Sequence, residues 1–111
     1  MKKMKYKVLA ADDEYWSREN LRSLISWEDY SIEFLDPACD GEEVLERIEE
    51  EKPDIILTDI NMPFLSGLEL LQKLQTEHIA YTLFVFRIAD FEILIKIPGR
   101  SSSNSYSFLF V

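Results

Sequence analysis

Cysteines are scarce in this chain, and it lacks both a membrane-length apolar run and a secretion signal. Cys39 is the single cysteine among 111 residues, and one thiol cannot close an intrachain disulfide. Because disulfides are typical of oxidising compartments, this scarcity favours a reducing, cytoplasmic environment. No apolar run comes near the roughly 20 residues of a spanning helix, and the basic start precedes too short an apolar segment for a signal peptide. We therefore expect a soluble chain with no membrane association.

Basic residues are also few. Lysine and arginine total 12 against 21 acidic residues, which gives a formal net charge of -9. Clustered lysine and arginine bind nucleic-acid phosphates, so we expect no direct binding of nucleic acid by this chain. The acidic balance suits a protein that meets cations or a basic surface of a partner. Hydrophobic residues make up 47% of the chain, enough for a packed core, and the length indicates a single domain over residues 1–111.

Short apolar segments alternate with amphipathic ones over the first three-quarters of the chain. Strands are predicted at residues 6–11, 32–38, 54–59 and 82–86, and helices at 15–27, from 41 until Lys52-Pro53 ends the helix, and at 67–77. The strands are mostly apolar without clear alternation, which is typical of strands buried on both faces. This order predicts an α/β fold with a doubly wound parallel sheet covered by helices.

The last quarter follows a different pattern. Residues 89–96 indicate a short helix, and a serine-rich loop follows Pro98. The segment YSFLFV at 106–111 is apolar and aromatic enough for a fifth strand. We expect the last helix of such a fold to be missing, which would leave an apolar flank near this strand exposed. The consequence would be self-association.

Acidic residues stand at the ends of two predicted strands. Asp12 and Asp13 follow the first strand, and Asp59 ends the third in the segment DIILTD. Parallel strands end at one edge of the sheet and neighbouring strands lie about 5 Å apart, so these carboxylates are expected to meet. Like charges repel at that distance, and a hard cation such as Mg²⁺ relieves the repulsion. Acids at such positions also serve simply as helix caps, which is the alternative for Asp12 and Asp13 taken alone.

Two segments resemble a known family. AADDE at 10–14 and LTDINMPFLSGLELL at 57–71 are similar to the receiver domain of two-component response regulators. The second match is specific, because it combines a strand-end acid, an asparagine two residues on, a Met-Pro pair, a glycine and a leucine-rich helix. The resemblance covers about residues 5–86 and implies the flavodoxin-like receiver fold. The fragment ADFE at 89–92 is similar to receivers that precede AraC-type DNA-binding outputs.

This resemblance implies a function and a set of site residues. Asp59 would be the phosphoacceptor, taking phosphate from a sensor histidine kinase in the cytoplasm. Mg²⁺ would be bound directly by Asp13, through water by Asp12, through the backbone carbonyl of Asn61, and by Asp59 itself. Pro63 would make the loop after the acceptor rigid. Such a domain relays a signal and is not a turnover enzyme.

The sequence departs from the family after residue 86. Receivers normally end their fourth strand in serine or threonine, and alignment on ADFE puts Phe86 there. The usual fifth-strand lysine followed by proline has no counterpart in YSFLFV, and Lys96-Ile97-Pro98 comes too early. The chain is therefore divided into a family-like part, 1–86, and a divergent tail, 87–111.

Two other functions remain open at this point. One is a degenerate pseudo-receiver that acts only as a protein-interaction module. The other is a phosphohydrolase of the haloacid-dehalogenase type, which also uses a strand-end aspartate and Mg²⁺. That enzyme class usually has a second aspartate where Asn61 stands here.

Overall fold

The computed structural model describes residues 5–59, 62, 64–76, 83–89, 92–96 and 107–110. The helices are α1 (Tyr15–Ser23), α2 (Gly41–Glu51) and α3 (Gly67–Thr76), with a 3₁₀ helix at Trp27–Tyr30. The strands are β1 (Tyr6–Ala11), β2 (Ile32–Phe34), β3 (Ile55–Asp59), β4 (Leu83–Ala89), β5 (Glu92–Lys96) and β6 (Ser107–Phe110). The predicted alternation of strands and helices over the first three-quarters of the chain is confirmed.

The strands form one sheet in the order β2-β1-β3-β4-β5-β6. β1 pairs in parallel with β2 and β3, and β3 pairs in parallel with β4. Right-handed connections then place α1 on one face of the sheet and both α2 and α3 on the other. The chain winds outward from β1 to β2 and back across to β3, so the direction of winding reverses between β1 and β3. This is the predicted doubly wound arrangement, and ligands of such sheets bind at that reversal.

The buried core lies mainly between the sheet and the two helices α2 and α3. In α2 the apolar residues stand four apart, the spacing that puts Val44 and Ile48 on one face. The core residues are all apolar and at most 9% exposed: Leu9, Ala11, Ala38, Val44, Ile48, Ile56, Met62, Leu65, Leu70 and Leu74. Within the described part of the chain, no helix has the length and apolar character needed to cross a membrane.

The first helix ends earlier than predicted. α1 stops at Ser23 instead of continuing to Trp27. The indole N–H of Trp27 donates to the carbonyl oxygens of Leu21 and Arg22, both at 3.1 Å. Carbonyls at the end of a helix need such partners, so the tryptophan closes the helix rather than extending it.

The second strand is also shorter than predicted. β2 ends at Phe34. Beyond it, the N–H of Leu35 donates to the carbonyl oxygen of Val8 at 3.0 Å, and Ala38 forms an isolated bridge opposite Ala11. Pro37 lies between Leu35 and Ala38 and has no N–H to donate to a neighbouring strand. The strand therefore ends before the proline, and β2 stands first in the strand order, at an edge of the sheet.

The prediction of a helix at residues 89–96 is wrong. β5 occupies Glu92–Lys96 and pairs antiparallel with both β4 and β6. The segment EILIK carries two isoleucines, whose β-branched side chains favour strands over helices. The strand predicted in YSFLFV is confirmed as β6, which stands last in the strand order and so forms an edge of the sheet.

Candidate functional site

Three acidic side chains meet at the carboxyl ends of β1 and β3. Asp12 and Asp13 directly follow β1, and Asp59 is the last residue of β3. Each offers one carboxylate oxygen, and these oxygens all lie within 4.8 Å of one another. The register accounts for the meeting, because Ala11 pairs with Thr58 and the residues after this pair emerge at the same edge. The structure thus brings together the three acids that the sequence placed at one edge.

Asp12 is the fixed member of this group. It is only 3% exposed, whereas Asp13 is exposed and Asp59 is half-buried. Its Oδ1 accepts a hydrogen bond from the backbone N–H of Glu14 at 2.9 Å. Its backbone carbonyl accepts from the guanidinium of Arg18 at 2.8 Å. A buried carboxylate held in this way has a defined orientation at the reversal point of the sheet.

Arg18 is a residue that the sequence reasoning missed. Its guanidinium also lies 5.9 Å from the ring of Tyr15, and it ties the first turn of α1 to the end of β1. The available signal was a cation in the first turn of the predicted helix, five residues after Asp13. Tyr15 and Trp16 form an exposed edge-to-face pair beside it, with ring centroids 5.0 Å apart.

The segment after Asp59 is anchored to the core by buried side chains. The Thr58 hydroxyl is buried, donates to the carbonyl oxygen of Asp59 at 3.0 Å, and lies 3.6 Å from the sulfur of Met62. Met62 and Leu65 are 9% and 6% exposed and belong to the core, whereas Phe64 between them is 80% exposed. The loop from β3 to α3 is therefore held by two apolar side chains that point inward.

The far end of this loop is closed by a reciprocal pair of hydrogen bonds. The backbone N–H of Ser66 donates to the Glu69 carboxylate at 3.1 Å, and the Ser66 hydroxyl accepts from the N–H of Glu69 at 3.2 Å. This capping box starts α3 at Gly67. The hydrogen bond from the Ser66 backbone also lowers the pKa of the Glu69 carboxyl. The loop beside the acids thus has a defined start and a defined end.

Two predicted site residues, Asn61 and Pro63, lie outside the described residues. On β4, the register pairs Asp59 with Arg87 and Thr58 with Phe86. Neither of these two residues of β4 is the serine or threonine that the family normally has.

Lys96 lies at a different level of the sheet from the acids. It pairs with Phe84, which in turn pairs with Ile56, three residues before Asp59 on β3. Three residues of a strand span roughly 10 Å. Because β5 runs antiparallel to β4, its carboxyl end points toward the edge opposite the acids. The backbone of Lys96 is accordingly not at the end of the sheet where the three acids meet.

The three carboxylates have the chemistry of a site for a hard divalent cation. They supply only oxygen donors, and within the described residues no cysteine or histidine joins them. Mg²⁺ typically takes one or two carboxylates and keeps several waters, which fits one buried, one half-buried and one exposed acid. The donor set therefore fits Mg²⁺ and does not have the nitrogen and sulfur ligands that zinc prefers.

Comparison with known proteins shows the family that this chain resembles. The model of the response regulator receiver domain family matches residues 8–91. The transcriptional regulatory protein BtsR of Salmonella typhi is 37% identical over 87 residues, covering 78% of this chain and 36% of that protein. The transcriptional regulatory protein HptR of Staphylococcus aureus is 39% identical over 69 residues, covering 62% of this chain and 27% of that protein. The chain thus spans about a third of the length of these relatives.

Solved structures with the same fold include several receiver domains. The receiver domain of the Francisella response regulator 1452 has a TM-score of 0.64 and 30% identity, and covers 74% of this chain and 64% of that one. The response regulator domain of Thermotoga maritima CheB has a TM-score of 0.63 and 33% identity, and covers 73% and 58%. A two-component transcriptional regulator AraC of Clostridium phytofermentans has a TM-score of 0.65 and 28% identity, and covers 74% and 65%.

Proposed function

Because the chain belongs to the response regulator receiver domain family, we propose that Asp59 accepts a phosphoryl group from a sensor histidine kinase. The observation that carries this proposal is the meeting of Asp12, Asp13 and Asp59 within 4.8 Å at the reversal point of the sheet. Among the three, Asp59 is the one that ends β3 and is half-buried. It is therefore both accessible to a donor and flanked by two further acids.

The acids and the following loop would hold one Mg²⁺ ion. Asp13 is exposed and would bind it directly, Asp12 would contribute through water, Asp59 would bind through its carboxylate, and Asn61 through its backbone carbonyl. When bound, the ion neutralises the negative charge that three carboxylates and a phosphoryl group bring together. This assignment is supported by the donor chemistry of the three acids.

The chemical step proposed for Asp59 is an in-line displacement at phosphorus. One carboxylate oxygen forms the new O–P bond while the P–N bond of the donor's phosphohistidine breaks, and the released imidazole takes a proton from solvent. The product carries a dianionic acyl phosphate in place of a single negative charge, and this change of charge is the signal. Such a residue is modified rather than turning over a substrate, in keeping with a signalling module rather than an enzyme.

Labelling with acetyl phosphate tests the proposal directly. We expect Mg²⁺-dependent incorporation of one hydroxylamine-labile phosphoryl group, detected by intact mass, and its loss in Asp59→Asn. Labelling that persists in Asp59→Asn would contradict the assignment. Absence of labelling in the wild-type chain would instead favour the pseudo-receiver, and continuous release of phosphate from small phosphoesters would favour the phosphohydrolase.

The proposal extends to the protein of which such a domain is part. Two relatives are named as transcriptional regulators, and one structural neighbour is named as a two-component regulator AraC. We therefore propose that phosphorylation of this domain controls an AraC-type output in the cytoplasm, and that this acidic chain does not itself bind DNA. The coding sequence beyond codon 111 checks this, since an output domain of another type would contradict it.

A further inference from the structure

Gly41, the first residue of α2, touches the loop that follows the phosphoacceptor. It is buried, and a Cβ built on it would lie 2.5 Å from the backbone oxygen of Leu65 and 2.9 Å from its Cβ. Carbon and oxygen atoms that are not bonded do not approach this closely, so any side chain here would force one of the two segments to move. A glycine is required at this point by the close approach of two backbones.

Neither segment at this contact is held loosely. α2 is capped by Asp40, whose Oδ1 accepts from the N–H of Glu43 at 2.9 Å, and it is fixed to the core through Val44. The loop is fixed through Leu65, which is 6% exposed. The contact therefore determines how far the loop stands from the start of α2.

The loop is the segment expected to yield. Its exposed Phe64 has a φ of 70°, in the left-handed region that costs a non-glycine residue energy, so this part of the loop already departs from relaxed geometry. α2 would have to move as a whole helix, together with the buried Val44 and Ile48, whereas a loop can adjust residue by residue. Met62 of the same loop lies 3.6 Å from the Thr58 hydroxyl, which donates to the Asp59 carbonyl oxygen, so a displaced loop would disturb the residues beside Asp59.

We propose that Gly41 is a positioning residue for the phosphoacceptor site: its missing side chain lets α2 seat the loop at the distance that cation binding requires. The inference rests on the proposed function, because the loop can affect cation affinity only if the three acids hold a divalent cation. Gly41 lies outside the acidic group. The inference predicts that Gly41→Ala lowers the affinity for a divalent cation although it removes no ligand of that cation.

The test compares Gly41→Ala with Val44→Ala in the 111-residue chain, using Mn²⁺ as the probe. Free Mn²⁺ is measured by electron paramagnetic resonance at a temperature at which circular dichroism shows all variants to be folded. Both substitutions disturb the start of α2 and lower stability, but Val44→Ala shortens a side chain and leaves the contact with Leu65 in place. We expect Gly41→Ala to weaken Mn²⁺ binding roughly tenfold or more, the usual effect of losing an outer-shell support, and Val44→Ala to stay within twofold of wild type.

Leu65→Ala examines the same contact from the loop side, and it serves if Gly41→Ala does not fold. It removes the buried anchor without adding a clash, and we expect it also to weaken Mn²⁺ binding beyond the change in Val44→Ala. Affinities equal to that of Val44→Ala in the folded variants would overturn the positioning role. Failure of the proposed function has a different signature, since wild-type Mn²⁺ binding would then be absent or unchanged in Asp13→Ala.

Discussion

Replacing Asp13 by asparagine should stabilise the chain without divalent cations and destabilise it, relative to wild type, when Mg²⁺ is present. The carboxylate oxygens of Asp12, Asp13 and Asp59 lie within 4.8 Å of one another, so folding brings three negative charges together. Asparagine keeps the shape of the side chain and removes one charge. The repulsion that wild type must overcome in folding is then reduced.

The size of this stabilisation follows from the distance between the carboxylates and from the exposure of Asp13. Asp13 is exposed, so the dielectric of water applies, and two unit charges at this distance repel by about 1 kcal/mol. Asp13 faces two such neighbours, and screening at physiological ionic strength removes roughly half of the sum. The expected gain in the free energy of unfolding is therefore about 1 kcal/mol, or a rise in Tm of roughly 4–8 °C for a domain of this size.

Magnesium should reverse this order, so that wild type has the larger free energy of unfolding. At a concentration of 100 times its Kd, a ligand that binds only the folded state adds about 2.7 kcal/mol to the free energy of unfolding. Wild type should gain this amount, and Asp13→Asn should gain little because it lacks a direct ligand. The assay is urea unfolding followed by circular dichroism, in EDTA and in saturating Mg²⁺. Glu46→Gln removes one charge from the exposed face of α2, away from the three acids, and is the control for the Mg²⁺ effect: it should gain as much from Mg²⁺ as wild type does.

The reasoning is refuted by either of two results. One is an Asp13→Asn variant that is less stable than wild type in EDTA, since this would mean that the carboxylate makes a net favourable contact. The other is an equal gain from Mg²⁺ in both proteins, since the cation would then bind elsewhere.

Two further predictions concern stability and assembly. Arg47 bonds to Glu43 and Glu51 on α2, and its hydrogen bond lowers the pKa of the Glu51 carboxyl below its usual 4.5. A lowered pKa stabilises the fold above pH 4.5 and the contribution is lost as the pH falls through the lowered value, so Arg47→Met should cost up to about 1 kcal/mol at pH 7 and flatten the acid limb in urea titrations. An acid limb as steep as that of wild type would count against this. Phe108→Lys places a charge on the edge strand β6 and should reduce concentration-dependent self-association in light scattering; a wild-type chain that stays monomeric at every concentration would contradict it.

The fold of the first three-quarters and the meeting of the acids could be predicted because both follow from local pattern. Buried parallel strands are apolar on both faces, and Asp12, Asp13 and Asp59 stand where such strands end. The sheet topology then brings the strand ends together without further information. The early end of α1 could not be predicted, because the indole of Trp27 closes the helix through its side chain.

The tail was harder to predict because its strands depend on pairing rather than on periodicity. Residues 89–96 carry charged and apolar residues at spacings that suit a helix or a strand, and the antiparallel ladders with β4 and β6 decide between them. The same applies to the residue that faces Asp59, which only the strand register identifies as Arg87. The division of the chain at residue 86 stays a prediction.

The hydrogen bond from the N–H of Glu14 to the Asp12 carboxylate has a consequence for the affinity of the proposed cation site. Because this short turn freezes the aspartate rotamer during folding, an arriving ion meets a preorganised oxygen and little entropy is lost on binding. Glutamate at the same position would carry one more rotatable bond and could not close the same turn. A single methylene group, with no change in charge, would thus turn a carboxylate that is held ready for an ion's water ligand into one that each binding event must order anew.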